Sequence, residues 1–437
     1  MAGINIGKAP ANKAVLPFYG AAAVFFILLA VTLLFHSDLL LGGYFNFRLL
    51  SIVHLTVVGW LTMLIFGAGY QLLPVICERD LYSELLAFLS FWLLLTGIVL
   101  LGGGFWYTPV LAGRFPLWGL LGGLLIFIAS GCFVLNVGWT SRICKSYNIQ
   151  KTFILTAACW LSATTLAGFL LAWNLRYPYI IHKNHLELLK LHVHMGLAGW
   201  FLQLIIGVSA KLIPMFLLGK SNKTYLLRNA YILINAGMLL FLIDGYFFSV
   251  TARALLYLLI VIAGIGHWLL YLRDVYKNRI KRPIDVTLQF SGLSFVNLMA
   301  ALVFLTLLLT GSPLGNGHIA YGILAILGWI SALGLGMTFK TLPFIVWNGH
   351  YKHLNGKGKI PLPKELYRQW LVNVQWWLFV IALYALLAGV LWGSPWVTKI
   401  ALIFLTGTSL SYGLNVLIVL KHKTNFIHAT STTAPNK

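Results

Sequence analysis

HLTVVGWLTMLIFGAGYQLLP, residues 54–74, and HMGLAGWFLQLIIGVSAKLIP, residues 194–214, decide how this chain folds. Both follow the frame His-x4-Gly-Trp-x6-Gly-x6-Pro without a gap. A third stretch keeps Gly328, Trp329, Gly336 and Pro343, has Ile323 where the aligned histidine would stand, and carries His318 five residues earlier. Each stretch is apolar for about 20 residues, enough for a helix to cross a hydrocarbon core about 30 Å thick. His54 and His194 are 140 residues apart, and His194 and Ile323 are 129 apart. Four spans fit into each interval, so the frame marks three four-helix units related by a pseudo-threefold axis.

The rest of the chain agrees with that reading. It is 60% hydrophobic and only 9% charged, whereas soluble domains average about 25% charged residues. Twelve apolar runs lie near 14–36, 49–75, 83–105, 116–140, 153–173, 190–217, 227–250, 253–272, 286–310, 317–344, 369–392 and 398–420. Backbone in lipid must satisfy its own hydrogen bonds, and these runs are too long for barrel strands, so they are helices. The expected fold is an all-α membrane protein of about twelve transmembrane helices. It forms one integral domain, 1–437, with repeat units at about 14–140, 153–272 and 286–420. The first run follows Lys8 and Lys13, is longer than a signal-peptide core and lacks a small-x-small exit, so it reads as a retained span.

The net charge of +22 is a matter of topology. Most of the Lys and Arg fall on the side that holds both termini, including Arg142, Lys145, Lys151, the run from Arg273 to Arg282 and the run from Lys352 to Lys364. The opposite side has few, among them Arg48, Arg114 and Arg176. The positive-inside rule places both termini in the cytoplasm and the protein in the cytoplasmic (inner) membrane, with basic loops meeting anionic lipid. Nucleic acid is not an expected partner. Cys77, Cys132, Cys144 and Cys159 form no CxxC pair and no disulfide framework.

Within the frame, the glycines fit close helix packing and the tryptophans fill volume, while the prolines mark helix exits. Gln71, Lys211 and Lys340 precede the prolines by three residues and are expected to snorkel to the interface. The histidines call for a different explanation, because an ionisable group inside a span is costly and points to function. His54, His194 and His318 lie near the same end of their helices. His192, His182 and His185 are close by in HKNHLELLKLHVH, and His36 ends the first span. Imidazoles converging at one depth suit an iron that takes one nitrogen from each face of a haem. Asp244, in FLIDGYFF, either orients a ligand imidazole through a hydrogen bond or pairs with a basic residue on the same side.

Twelve spans in three units, with histidines on the second, sixth and tenth, resemble the haem–copper oxidase subunit I superfamily, of which cytochrome c oxidase subunit I is the familiar example. The resemblance implies that His54 and His318 ligate a haem b and that His194 or His192 ligates copper. Companion respiratory subunits or another electron donor are the partners it implies. The sixth-helix His-Pro-Glu motif is absent, and no adjacent histidine pair accompanies the seventh helix. The tenth helix has His318 alone where the family has His-x-His. The resemblance therefore implies a haem-binding membrane protein for electron transfer or reaction with a small gas (O2 or NO), an oxidoreductase if it is an enzyme, without a complete copper centre. The frame also looks like that of the NnrS family, which implies haem or copper binding in nitric oxide tolerance. A transporter whose outer histidines bind substrate is the reading from a different class, and the three-by-four repeat counts against the usual two-half transporter plans.

Overall fold

The computed structural model describes residues 12–142, 148–178, 182–354, 358–424 and 427–428, so Lys8, Cys144 and Lys145 lie outside it. Twelve of its helices are long and apolar enough to cross a membrane. They are Asn12–Phe35, Phe47–Cys77, Glu84–Tyr107, Leu117–Arg142, Ile149–Arg176, His185–Leu217, Thr224–Phe248, Ala254–Lys277, Val286–Leu309, Gly317–Leu354, Gln369–Leu391 and Pro395–Leu420. We number them as spans one to twelve. Each expected run is present, and the differences lie at the ends. Span six starts at His185 rather than near residue 190, because the Asn184 side chain caps it by accepting the Leu186 N–H at 2.9 Å.

The frame prolines do not stop their helices. Span two runs past Pro74 to Cys77, span six past Pro214 to Leu217, and span ten past Pro343. A proline inside a helix removes one hydrogen bond, and neighbouring helices in a bundle hold the segment together despite that loss. Spans two and six then end alike, with Glu78 (φ 52°) and Leu218 (φ 48°) in the left-handed conformation. Glycine would be the unstrained residue at both positions.

The two glycines of each frame set the packing. A Cβ on Gly59 would lie 3.0 Å from the Phe25 ring, one on Gly199 2.8 Å from Trp160, and one on Gly328 2.9 Å from Asn297. A Cβ on Gly67 would lie 2.9 Å from Phe18, one on Gly207 2.8 Å from Phe153, and one on Gly336 2.4 Å from the Thr287 carbonyl. In every case the neighbour belongs to the odd-numbered span just before. Spans two, six and ten are thereby pressed inward, and their aligned positions surround the central axis. Leu64, Leu204 and Leu333, with Ala68, Val208 and Met337, line an apolar cavity of about 130 Å³ there. Trp60, Trp200 and Trp329 are all buried, and Trp200 Nε1 donates to Thr62 Oγ1 of span two at 3.2 Å.

The polar residues before the prolines behave differently from one another. Lys211 is exposed and Gln71 is buried. Lys340 turns back to Asp285, its Nζ 2.6 Å from Oδ2, so it is held by an ion pair rather than reaching freely to the interface. Asp285 also caps span nine through the Leu288 N–H and accepts from Thr287 Oγ1 at 2.6 Å. Burial by itself would raise the Asp285 pKa, but the bonds from Lys340 and Thr287 prevail and hold it at about 2.

Two outcomes are expected. Gly336→Ala forces a carbon against backbone and should cost about 1–3 kcal/mol. Gly322→Ala meets nothing within 4 Å and should be neutral or stabilising by up to about 1 kcal/mol; thermal unfolding in detergent compares the two. The depressed Asp285 pKa stabilises the fold above the ordinary carboxylate value of about 3.9. That contribution fades as pH falls toward about 2, so Asp285→Asn should flatten this part of the acid-unfolding curve.

Candidate haem and metal site

All three frames widen into π-helical backbone that ends at the same frame position, the third starting one residue earlier: Leu55–Thr62, Met195–Leu202 and Ile323–Ser331. π-turns are rare and tend to mark functional sites. Here they begin one residue after His54, one residue after His194, and at Ile323 where the third histidine is missing. The wide turn therefore belongs to the frame, and the histidines sit at its mouth.

Both frame histidines are anchored in the same way. His54 Nδ1 lies 2.8 Å from the Leu50 carbonyl, and His194 Nδ1 lies 2.8 Å from the Lys190 carbonyl. A ring nitrogen facing a carbonyl oxygen has to carry the proton, so the neutral ring keeps its lone pair on Nε2. This is how metal-binding histidines are usually held, with the second nitrogen bonded to a carbonyl or carboxylate that fixes the ring.

The four histidines that the resemblance names as ligands divide into two groups. The first lines a half-open cavity of about 330 Å³ between spans six and ten, where Lys190, His194, His318 and Tyr321 share walls that are otherwise mostly apolar. Tyr321 Oη is 3.4 Å from His194 Nε2, and the two rings are nearly parallel with centroids 6.1 Å apart. Phe241 packs edge-on to His194 at 5.5 Å, and Tyr44 lies 5.1 Å from His318. The second group joins spans two and six. The rings of His54 and His192 lie 6.4 Å apart, 19° from parallel, with Phe105 stacked 5.0 Å from His54. The ring neighbours of His54 are thus on spans three and six, while His318 looks into the cavity shared with His194.

Asp244 pairs with Arg253, its Oδ2 3.5 Å from Nε, which is the second of the two roles expected for it. His185 packs against Phe45 at 5.7 Å. Among the described residues, no three His, Cys, Asp or Glu side chains gather closely enough to form a metal site. Sequence reasoning missed Tyr321, Lys190 and Phe105. Tyr321 had a signal, since it follows His318 by three residues and so shares its helix face. Phe105 had none, because its place beside His54 depends on which spans become neighbours.

Residues 9–255, more than half of the chain, match the family model described as cytochrome c and quinol oxidase polypeptide I. The chain belongs to this family. Its members bind haem and copper, and the matched region holds both complete frames with His54, His192 and His194. The search of curated proteins found no match. This oxidase subunit I relative is therefore a multi-span membrane protein of the haem–copper oxidase type.

Proposed function

We propose that this member of the oxidase subunit I family holds one haem b in the cavity between spans six and ten and uses it for electron transfer or reaction with a small gas such as O2 or NO. The observation that carries this reading is the cavity itself. It brings imidazoles from spans six and ten into one apolar chamber of about 330 Å³. The donors suit iron, which takes imidazole ligands readily, and the apolar walls suit a flat macrocycle.

With Nδ1 held by the Lys190 carbonyl, His194 would offer Nε2 in place of its bond to the Tyr321 hydroxyl, and His318 would offer a ring from the same cavity. Lys190, whose Nζ bonds Glu187 Oε1 at 2.5 Å, also lines the cavity and would offer a positive charge to an acidic group of the bound cofactor. The Tyr321 hydroxyl next to His194 can donate a hydrogen bond to a bound ligand. Haem b, when bound, would supply a one-electron iron centre for electron transfer or for reaction with a small gas. Electrons would come from a companion subunit or another donor. The basic loops support a cytoplasmic location for both termini.

The purified protein should show b-type bands in a reduced-minus-oxidised spectrum, with about one haem per chain. His194→Ala and His318→Ala should each alter the bands, and the double variant should lose nearly all haem. Wild-type protein that purifies without haem, or a double variant with unchanged bands, would overturn the reading.

A further inference from the structure

The end of the bundle that holds both termini carries a feature unrelated to the histidines. We infer that an open groove between spans four, five and seven binds one anionic phospholipid. Arg142 and Lys151 hold its phosphate, and its acyl chains lie on the apolar residues beneath them.

The groove follows from how the three spans meet. Span five packs closely on span four but touches span seven at few points. Span five therefore floors a trough of about 790 Å³, walled by the end of span four and the start of span seven. Tyr231 of span seven fixes the far wall, its hydroxyl 2.9 Å from Thr156 Oγ1 of span five. Gly138 lines the near wall without a side chain, and a Cβ there would meet only Leu155, at 3.8 Å.

Polarity is graded with depth. Arg142 ends span four and Lys151 lies in the first turn of span five, so both sit at the membrane surface. Leu135, about 10 Å further in along span four, and Leu155 are apolar lining residues. Leu135 and Trp139 are exposed on the outside of the bundle, which sets the trough against lipid. A phospholipid has the same gradation, with charge at the surface and hydrocarbon below it.

The mouth of the groove is arranged for a phosphate. The Arg142 guanidinium lies over the Trp139 ring, 4.7 Å from its centroid, and Trp139 stacks on Tyr82 at 5.6 Å. An aromatic face steadies a guanidinium without neutralising it, and the planar fork matches two phosphate oxygens. Among the described residues, no carboxylate pairs with Arg142 and none lines the groove. Lys151 Nζ lies 3.3 Å from the Ser141 carbonyl, which brings a second positive charge to the same level. Ser141 is itself a buried lining residue, and its hydroxyl has no hydrogen-bond partner. Charge then selects the lipid. Two cations suit a headgroup of net negative charge, such as phosphatidylglycerol, and the groove offers no carboxylate to the ammonium of a choline headgroup.

The test is native mass spectrometry of the detergent-purified full chain, titrated with dioleoylphosphatidylglycerol or dioleoylphosphatidylcholine. One phosphatidylglycerol should bind more tightly than any phosphatidylcholine. The double variant Arg142→Gln/Lys151→Gln should lose about tenfold or more of that affinity. Gly138→Leu keeps both charges but fills the trough, and it should weaken the same binding. Arg273→Gln/Lys277→Gln removes two charges at the end of span eight and should leave it unchanged. Millimolar inorganic phosphate should not displace the lipid, because the trough also holds the acyl chains. Equal affinity for the two lipids would overturn the site, as would wild-type affinity in either the Arg142/Lys151 variant or Gly138→Leu. An equal loss in the Arg273/Lys277 variant would reduce the effect to net charge, and displacement by phosphate would reduce it to an anion contact; either result overturns the inference.

Discussion

An even-numbered span can approach the odd-numbered span before it only as closely as the side chains between them allow, and at Gly59, Gly199 and Gly328 there is no side chain. The Phe25 ring, Trp160 and Asn297 occupy the space a Cβ would need. The second set, Gly67, Gly207 and Gly336, repeats the contact two turns along each helix. Lipid provides no hydrophobic drive between helices, so this close packing is what supplies the attraction. It also determines the interior, since spans pulled toward their odd-numbered neighbours leave aligned faces around the axis. The cavity lined by Leu64, Leu204 and Leu333 is the space left when three equivalent surfaces meet without interdigitating fully.

The π-helical turns then separate packing from chemistry. A wide turn rotates whatever precedes it relative to whatever follows. Residues after the turn, such as Gly67 and Gly207, hold the helix against its neighbour, while His54 and His194, just before it, are free to face elsewhere. The two histidines occupy the same position in the repeat and make the same bond to the carbonyl four residues back. Their surroundings nevertheless differ: His54 meets Phe105 and His192, and His194 meets Tyr321 and Phe241. The repeat thus fixes the tautomer and depth of each ring, and the non-repeated residues around it decide what the ring can bind.

Much of this was legible in the sequence, for a physical reason. Span positions depend on local apolarity, and the frame residues pack against the span next to them in the chain, so both the twelve helices and the role of the glycines could be read from short-range patterns. Partnerships between distant spans could not. His54 was expected to share a cofactor with His318, and its ring neighbours are Phe105 on span three and His192, two residues before the frame position on span six. Lys340 looked like a snorkelling lysine because Asp285, 55 residues earlier, gives no local signal. The Asp244–Arg253 pair lies within a single helical hairpin and was accordingly among the options the sequence offered.

The last asymmetry concerns how the ring of helices closes. Spans four and five pack along much of their length, as do spans twelve and one, while spans eight and nine touch at few points. The seam between eight and nine is held at one level by the edge-to-face contact of Trp268 with Phe295, 5.2 Å between centroids. Elsewhere along that seam Leu258 and Val261 of span eight and Leu302 and Leu305 of span nine face the 330 Å³ cavity rather than each other. Three units built on one frame would be expected to close through three similar seams, so the loose one marks where the repeat has diverged to keep space. That space lies beside His194, His318 and Tyr321, and the same divergence that opens the seam leaves the span-six and span-ten imidazoles facing a chamber instead of packed side chains.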